Sequence, residues 1–357
     1  RTEIDMTALR SRPANPALRP PLAAGDIAPQ CVLPDSDGEL VNLRGDRIAG
    51  NPIIVVFCPR FTPAAEAALT SLTAQLAALT EAGARLFAVT REPAHVAKAQ
   101  NLPFPVLIDS KEDVFRAFSA GLRDLPTTVM LRPNHHVLAI FKETPETHGA
   151  AALAELERLA ADRRTELVAS HPPVLLIPDV LSPGECRRLI DVYNTRGQVF
   201  VKPGVGYDDM TSDYKMRIPE YDRVDRIDHW LVDKDTCAFV HYRVATRVFP
   251  EIVTAFHYWI TKYERMRIGC YEGARGGRSH GHRDNIPPTA YRRFALSINL
   301  NTDEFDGGEL RFPEYGDKRY RPPSGAAIVF SSSLLHEALE VTRGRRLVLL
   351  AFLFGDH

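Results

Sequence analysis

The chain has 357 residues, which is enough for two domains of ordinary size. Hydrophobic residues make up 45% and charged residues 25%, and acidic and basic side chains nearly cancel to a formal net charge of −1. This balance is typical of a globular protein and argues against a nucleic-acid or membrane-surface footprint, and no apolar run reaches the roughly 20 residues of a transmembrane helix.

Residues 1–23 are polar and proline-rich and are predicted to form an extended lead-in to a first domain over 24–168. In that domain the β-branched run 51–57 predicts a buried parallel strand, and leucines at 69, 72, 76 and 79 predict an amphipathic helix over 62–82. Further strands are predicted at 85–90, 106–108, 127–131 and 137–141, and helices at 93–100, 113–120 and 150–164. The alternation of strands and helices indicates an α/β fold.

A second domain is predicted over 169–357, where helices come first and strands follow. Ser182, Pro183 and Glu185 are typical of a helix start. Polar residues at 197–226 predict an irregular lid, and 230–263 is predicted to be mostly helical. Short strands are then predicted at 264–271, 295–301, 308–312, 318–321, 326–331 and 345–354. Strands of this length and spacing indicate a sandwich or barrel in an α+β domain.

The cysteines are too scattered to indicate a metal site or a disulfide framework, and they include no C-x-x-C pair. The five are Cys31, Cys58, Cys186, Cys237 and Cys270. Buried, inert thiols in a reducing compartment fit this pattern best, so the predicted location is the cytoplasm.

One set of residues in the second domain predicts a catalytic metal site. His282 and Asp284 are two residues apart, so on an extended strand their side chains point to the same face. His336 follows a predicted strand about fifty residues later and supplies a third ligand. Two histidines and one carboxylate form the facial triad that leaves open positions on a non-haem Fe(II) ion. Arg346 lies in the last apolar strand, where a guanidinium requires an anionic partner and matches a carboxylate in two-point contact.

With these motifs the segment 174–357 resembles the prolyl 4-hydroxylase-like branch of the 2-oxoglutarate/Fe(II) oxygenases. The matching residues are Cys270-Tyr271, His282-Arg-Asp284, Phe294 to Asn301, Asp306 to Pro313, His336, and Gly344-Arg-Arg346. The resemblance implies a double-stranded β-helix (jelly roll) and a dioxygenase. The implied reaction hydroxylates an unactivated C–H bond of a peptidyl or small, amino-acid-like substrate, with succinate and CO₂ as co-products. It requires Fe(II), 2-oxoglutarate and O₂, with ascorbate as a further reductant.

The resemblance also implies roles for individual residues. His282, Asp284 and His336 would hold the metal, and Arg346 would bind the C5 carboxylate of 2-oxoglutarate. Tyr271 and Asn299 would contact the same co-substrate. Arg293 is left open as a substrate contact, and the predicted partner is a peptide or small molecule, with neither nucleic acid nor membrane involved.

The first domain resembles the peroxiredoxin and thioredoxin-like family through Gly25 to Pro29, Pro34 to Gly38 and Phe57 to Glu66. In that family a cysteine at the start of a helix is activated by the helix dipole. Ala65 stands at its place, so the domain is predicted to lack peroxidase activity and to serve oligomerisation, such as a homodimer, or substrate presentation. Two alternatives stay open: a thiol-dependent redox protein acting through Cys58, and a non-enzymatic scaffold with a decayed oxygenase domain.

Overall fold

The computed structural model of the chain describes residues 21–45, 48–91, 102–120, 125–161, 168, 170–202, 210–220 and 224–355. The chain divides near residue 168 into two compact units. Most of the predicted lead-in at 1–23 and the predicted helix at 93–100 lie outside the described residues. Within the described ranges, every helix is too short or too polar to cross a membrane.

The N-terminal unit contains a five-stranded sheet, a separate pair of short strands, and helices. Its strands are β1 (Val32–Pro34), β2 (Leu40–Asn42), β3 (Ile53–Phe57), β4 (Arg85–Thr90), β5 (Val106–Ile108), β6 (Thr127–Leu131) and β7 (Val137–Phe141). Its helices are α1 (Pro63–Ala74), α2 (Leu76–Glu81), α3 (Asp113–Ala117) and α4 (His148–Ala161). The sheet order is β5-β4-β3-β6-β7, with β3, β4 and β5 parallel and β6 and β7 antiparallel, while β1 and β2 form a separate pair. The predicted thioredoxin-like fold is confirmed.

Strand β3 is apolar throughout because both faces of its sheet are covered. Ile54 and Val56 pack into the cluster that includes α1 and α4, whereas Val55 and Phe57 pack into the cluster that includes α3. The predicted helix over 62–82 is divided at Gln75 into α1 and α2.

Helix α1 begins without the thiol that the family resemblance would require. The Thr62 side chain caps the helix by accepting a hydrogen bond from the Ala65 N–H at 3.3 Å, and Pro63 follows at the first turn. The Ala65 methyl group is fully buried. Cys58 is also fully buried, and burial raises the pKa of its thiol to about 12. A thiol in this state is a poor nucleophile, which argues against the thiol-dependent alternative.

We expect Cys58 to resist alkylation in the folded protein. At about pH 8 a free cysteine is substantially ionised, but Cys58 is both inaccessible and protonated. Treatment with iodoacetamide followed by mass spectrometry should show Cys58 modified only after unfolding in guanidinium. Rapid labelling of Cys58 in the native protein would contradict this expectation and revive a redox role.

The C-terminal unit is built mostly of strands. They are β8 (Val174–Ile177), β9 (Phe200–Val201), β10 (Tyr214–Glu220), β11 (Val224–Trp230), β12 (Lys262–Tyr263), β13 (Arg267–Glu272), β14 (Ser279–His282), β15 (Phe294–Asn299), β16 (Asp306–Gly307), β17 (Leu310–Arg311), β18 (Arg319–Tyr320), β19 (Ala327–Ser331), β20 (His336–Ala338), β21 (Val341–Arg343) and β22 (Arg345–Phe354). Its helices are α5 (Pro183–Thr195), α6 (Lys234–Arg247) and α7 (Phe249–Phe256). Ser182 and Glu185 form the predicted capping box at the start of α5.

Two sheets face each other in this unit. The major sheet has the order β8-β19-β15-β22-β13-β11-β10-β9, with β12 paired to β22, and the minor sheet has the order β14-β20-β17-β18. Central strand β22 has two buried faces: Leu347 and Leu349 pack in the cluster that includes the helices, and Val348 packs in the cluster that includes Leu310 and Ala338 of the minor sheet. The predicted jelly roll is confirmed.

The prediction of irregular structure over 197–226 is wrong where the chain forms β10 and β11; residues 203–209 and 221–223 lie outside the described residues, and the lid role stays a prediction. Strands β10 and β11 form an antiparallel hairpin, and β11 pairs with β13 so that the hairpin extends the major sheet. The helical prediction from 230 is wrong at its start, because Trp230 ends β11 and α6 begins at Lys234. The polar residues misled the prediction because they are buried against one another, as Asp228 is by Arg226.

Candidate metal centre and active site

The three predicted metal ligands meet on the minor sheet. His282 ends β14 and lies directly opposite His336, the first residue of β20. Asp284 follows two residues later, and its backbone N–H donates to the Ser332 carbonyl at 2.9 Å. Asp284 Oδ1 is 3.4 Å from His282 Nε2, and Asp284 Oδ2 is 3.4 Å from His336 Nε2. One ligand atom from each residue lies within 4.8 Å of the other two.

Backbone carbonyls fix the orientation of both imidazole rings. His282 Nδ1 is 2.6 Å from the His280 carbonyl, and His336 Nδ1 is 3.0 Å from the Leu334 carbonyl. A carbonyl oxygen only accepts, so each Nδ1 carries the hydrogen and each Nε2 presents its lone pair to the centre. This is the arrangement in which histidine ligates a metal ion.

The carboxylate of the triad is held in its ionised form. Burial would raise the pKa of Asp284, but its polar neighbours His282 and His336 and the positive charge of Arg292 together outweigh burial and lower this pKa below its ordinary value. Rings shield the centre from water on one side, since Phe330 lies 4.6 Å from the His336 ring between centroids. Two neutral nitrogens and one anionic oxygen, partly screened from solvent, fit a divalent transition metal.

Arg346 is a buried cation on the inward face of β22. It is 3% exposed, pairs across the sheet with Tyr271 of β13, and its guanidinium lies 5.2 Å from the Tyr271 ring centroid. Burial lowers the pKa of Arg346 from its usual value, and the charge of Arg226 lowers it further. Among the described residues no carboxylate forms an ion pair with Arg346. A buried guanidinium in this state is prepared for an anionic ligand.

The structure separates the remaining predicted site residues. Tyr271 lines the same cavity as Arg346 and the triad. Asn299 lies outside the lining of this cavity and contacts Arg346. Its Oδ1 accepts a hydrogen bond from Arg346 Nε at 3.2 Å, and its Nδ2 donates to the Pro322 carbonyl at 3.0 Å. The Asn299 amide therefore orients Arg346. Arg293 is exposed and donates to the Ala290 carbonyl at 3.2 Å, away from the lining of the cavities at the triad.

Two cavities adjoin at the triad. The inner cavity is lined by Arg346, Tyr271 and His336 with the other two ligands, and the outer cavity is lined by Trp230, Ile286 and Arg292 with His282 and Asp284. Both are also lined by Arg226, Arg267 and Phe352. Ile286 is 59% exposed, so the outer cavity reaches the surface.

Several residues that line these cavities were missed by the sequence prediction. Arg226 holds Asp228 in a two-point contact at 2.8 and 3.1 Å and donates to the Tyr271 hydroxyl at 3.2 Å. Burial alone would lower the pKa of Arg226, but Asp228 raises it well above the usual value. Arg292 is paired with Glu264 at 2.5 and 2.8 Å. Arg267 could have been predicted from the sequence, because residues 267 and 271 fall on the same face of a strand and Tyr271 was already assigned to the site.

Comparison with known proteins separates the chain into the same two parts. Residues 24–140 match the AhpC/TSA family model, and residues 266–354 match the model of the 2OG-Fe(II) oxygenase superfamily. A PKHD-type hydroxylase of Saccharophagus degradans is 36% identical over 90 residues, which is 22% of this chain and 38% of that protein. Peroxiredoxin Bcp of Escherichia coli is 33% identical over 103 residues, 28% of this chain and 65% of that protein. The chain thus spans less than two thirds of these relatives.

Solved structures are similar to each part separately. A Pseudomonas putida prolyl-4-hydroxylase matches with a TM-score of 0.38 and 18% identity, covering 52% of this chain and 94% of that one. Peroxidoxin BcpB of Mycobacterium tuberculosis matches with a TM-score of 0.35 and 21% identity, covering 39% of this chain and 98% of that one.

Proposed function

We propose that this chain, in which a peroxiredoxin-like unit precedes a region of the 2OG-Fe(II) oxygenase superfamily, is an Fe(II)- and 2-oxoglutarate-dependent hydroxylase. The observation that carries the proposal is one cavity that holds both the triad and a buried arginine without a carboxylate partner among the described residues. A metal site with open positions and a distant carboxylate receptor together match a 2-oxo dicarboxylate.

Each group has a distinct task in this proposal. His282, Asp284 and His336 hold Fe(II), Arg346 binds the C5 carboxylate of 2-oxoglutarate, and Tyr271 lines the cavity that contains these residues. When bound, iron with 2-oxoglutarate and O₂ supplies the oxidant that converts a substrate C–H bond into C–OH, while 2-oxoglutarate becomes succinate and CO₂. The ionised Asp284 offsets part of the metal charge, and Asn299 orients Arg346. Ascorbate as an additional reductant stays a prediction.

The substrate enters through the outer cavity, which reaches the surface beside His282 and Asp284. We propose a peptidyl or small, amino-acid-like substrate, in keeping with the name hydroxylase borne by the PKHD-type relatives. The N-terminal unit takes no part in the chemistry, since alanine stands at position 65 and Cys58 is buried. Its proposed role is structural, in a homodimer or in substrate presentation.

Anaerobic addition of Fe(II) to the metal-free protein tests the proposal. With 2-oxoglutarate present, we expect a weak visible charge-transfer band at ~500 nm, as a 2-oxo acid chelated to iron in an open facial site should give. The band should be absent without 2-oxoglutarate and absent in His282→Ala and His336→Ala. The variant His257→Ala, in a histidine outside the cavities, serves as the matched control and should keep the band. Folded wild-type protein that gives no band would refute the assembled site.

A further inference from the structure

Arg267 is a buried cation with an unused donor. It is 6% exposed and begins β13. Its Nε lies 3.0 Å from Asp228 Oδ2, but without hydrogen-bond geometry, and one terminal nitrogen has no hydrogen-bond partner among the described residues. Asp228 already accepts two hydrogen bonds from Arg226. Two guanidinium groups therefore share one carboxylate, and one positive charge is left over.

An uncompensated buried cation is costly unless something pairs with it. Burial lowers the pKa of Arg267 from its usual value, as expected for a guanidinium that lacks a full set of partners. Arg292, which also lines the outer cavity, differs because the Glu264 carboxylate accepts two hydrogen bonds from it, at 2.5 and 2.8 Å. Arg267 is thus the cation of this cavity best prepared to receive an anionic group from a ligand.

The position of Arg267 separates it from the proposed 2-oxoglutarate receptor. Across β13 and β22, Arg267 pairs with Leu350 whereas Tyr271 pairs with Arg346. Four residues of strand span about 13 Å, while the four C–C bonds of 2-oxoglutarate cover at most about 6 Å between its terminal carbons. The backbone positions of Arg346 and Arg267 are therefore farther apart than 2-oxoglutarate is long, so each arginine suits a different anion.

Aromatic rings surround the free donor. The Arg267 guanidinium lies 5.0 Å from the Trp230 ring centroid and 4.9 Å from that of Phe352, and both rings line the outer cavity. They give an apolar wall next to a point of positive charge, within a cavity that also contains His282 and Asp284. Such a site recognises a molecule that carries an apolar portion and a carboxylate.

We infer that Arg267 binds a carboxylate of the primary substrate, whose apolar portion packs against Trp230 and Phe352 while the carbon to be hydroxylated faces the triad. This inference rests on the proposed function and narrows its substrate to carboxylate-bearing molecules. The carboxylate belongs either to a free acid or to a peptide, and the chemistry at Arg267 is the same for both.

The test uses Trp230 as a reporter in the full-length protein. The chain has two tryptophans, so Trp259→Phe leaves Trp230 as the sole tryptophan fluorophore. Anaerobic protein with Fe(II) and excess 2-oxoglutarate, which occupies Arg346, is titrated with 3-phenylpropionate and with its neutral amide. A short peptide ending in phenylalanine is titrated as the free acid and as the amide, to distinguish the two sources. We expect at least about 10-fold tighter binding of the acid in one pair, as for a charge-assisted contact.

Variants then assign the preference. Arg267→Gln should weaken binding of the acid about 10-fold and leave the amide unchanged, Arg267→Lys should keep part of the preference, and 2-oxoglutarate affinity should stay unchanged in both. Arg243→Gln, in an arginine paired with Glu185 outside the cavities, is the matched control. Equal binding of the acid and the amide in both pairs overturns the inference. So does a preference for the acid that survives in folded Arg267→Gln. If Arg267→Gln does not fold, an undiminished preference for the acid in Arg267→Lys overturns the inference instead.

The fluorescence readout needs no turnover, so the two proposals fail separately. Acid preference in a protein that forms no succinate from 2-oxoglutarate contradicts the hydroxylase and not the carboxylate site. Succinate formation without any acid preference contradicts the carboxylate site and not the hydroxylase.

Discussion

Replacing Asp284 by alanine is expected to lower 2-oxoglutarate turnover at least about 100-fold. Even residues one layer behind a metal ligand change metal affinity or activity 10–100-fold when they are replaced. Asp284 lies 3.4 Å from the Nε2 atoms of both His282 and His336 and is the one anionic member of the triad. Without it two neutral imidazoles remain, which is too few ligands to hold Fe(II) against water.

Succinate formation and iron content are the two measurements for this variant. Asp303→Ala is the matched control, because Asp303 is an exposed carboxylate on the same unit that contributes to neither cavity. We expect Asp303→Ala to turn over like the wild type and Asp284→Ala to bind little iron. Undiminished succinate formation by folded Asp284→Ala would show that the metal centre lies elsewhere.

The triad was predictable because strand geometry constrains it. The two-residue spacing of His282 and Asp284 places both on one face of any extended segment. His336 was predicted as the third ligand from its place after a predicted strand and then from the family resemblance, since local periodicity gives no means of pairing residues fifty positions apart. The structure supplies the link: β14 and β20 are hydrogen-bonded neighbours, and their register sets His282 against His336.

The hairpin β10–β11 was not predictable by the same means. Patterns of apolar and polar residues treat a charged side chain as exposed, yet Asp228 is 1% exposed and His229 is fully buried. Both side chains contact polar partners that lie far from them along the sequence. Arg267 contacts Asp228, and Asp213 contacts the His229 ring at 3.0 Å. Buried ion pairs of this kind are visible only once the strands are assembled.

The sequence prediction named Arg293 as a possible substrate contact and did not extend to its neighbour Arg292. Alternation along a strand places Arg293 on the same face as Ala295, which packs between the two sheets. The strand begins only at Phe294, and the residues before it form a turn. Arg292 reaches the outer cavity instead, because Glu264 holds its guanidinium there.

Replacing Arg346 by glutamine is expected to raise the 2-oxoglutarate concentration required for half-maximal turnover about 100-fold. A hydrogen bond to a charged group contributes about 1.5 kcal/mol or more, and a two-point contact with the C5 carboxylate has two of them, so the loss is about 3 kcal/mol. The maximal rate should change much less, because Arg346 lies on β22 and the metal ligands lie on the minor sheet or just beyond it. Steady-state kinetics against 2-oxoglutarate measures both quantities.

The neighbouring residue provides the control, since Arg345 precedes Arg346 on β22 but is exposed. Arg345→Gln should leave the 2-oxoglutarate requirement unchanged, and Arg346→Lys, which keeps the charge and loses the fork, should fall between the wild type and Arg346→Gln.

A second co-substrate turns this result into a test of the contact itself. 2-Oxopentanoate has the same five-carbon chain and 2-oxo acid end but no C5 carboxylate. If Arg346 binds that carboxylate, the wild type should bind 2-oxoglutarate far more tightly than 2-oxopentanoate, and Arg346→Gln should treat the two alike. Equal losses for both compounds would instead mean that Arg346 supports the fold of the cavity. That outcome would leave the triad in place and would require another cation, with Arg267 the first to examine, to receive the C5 carboxylate.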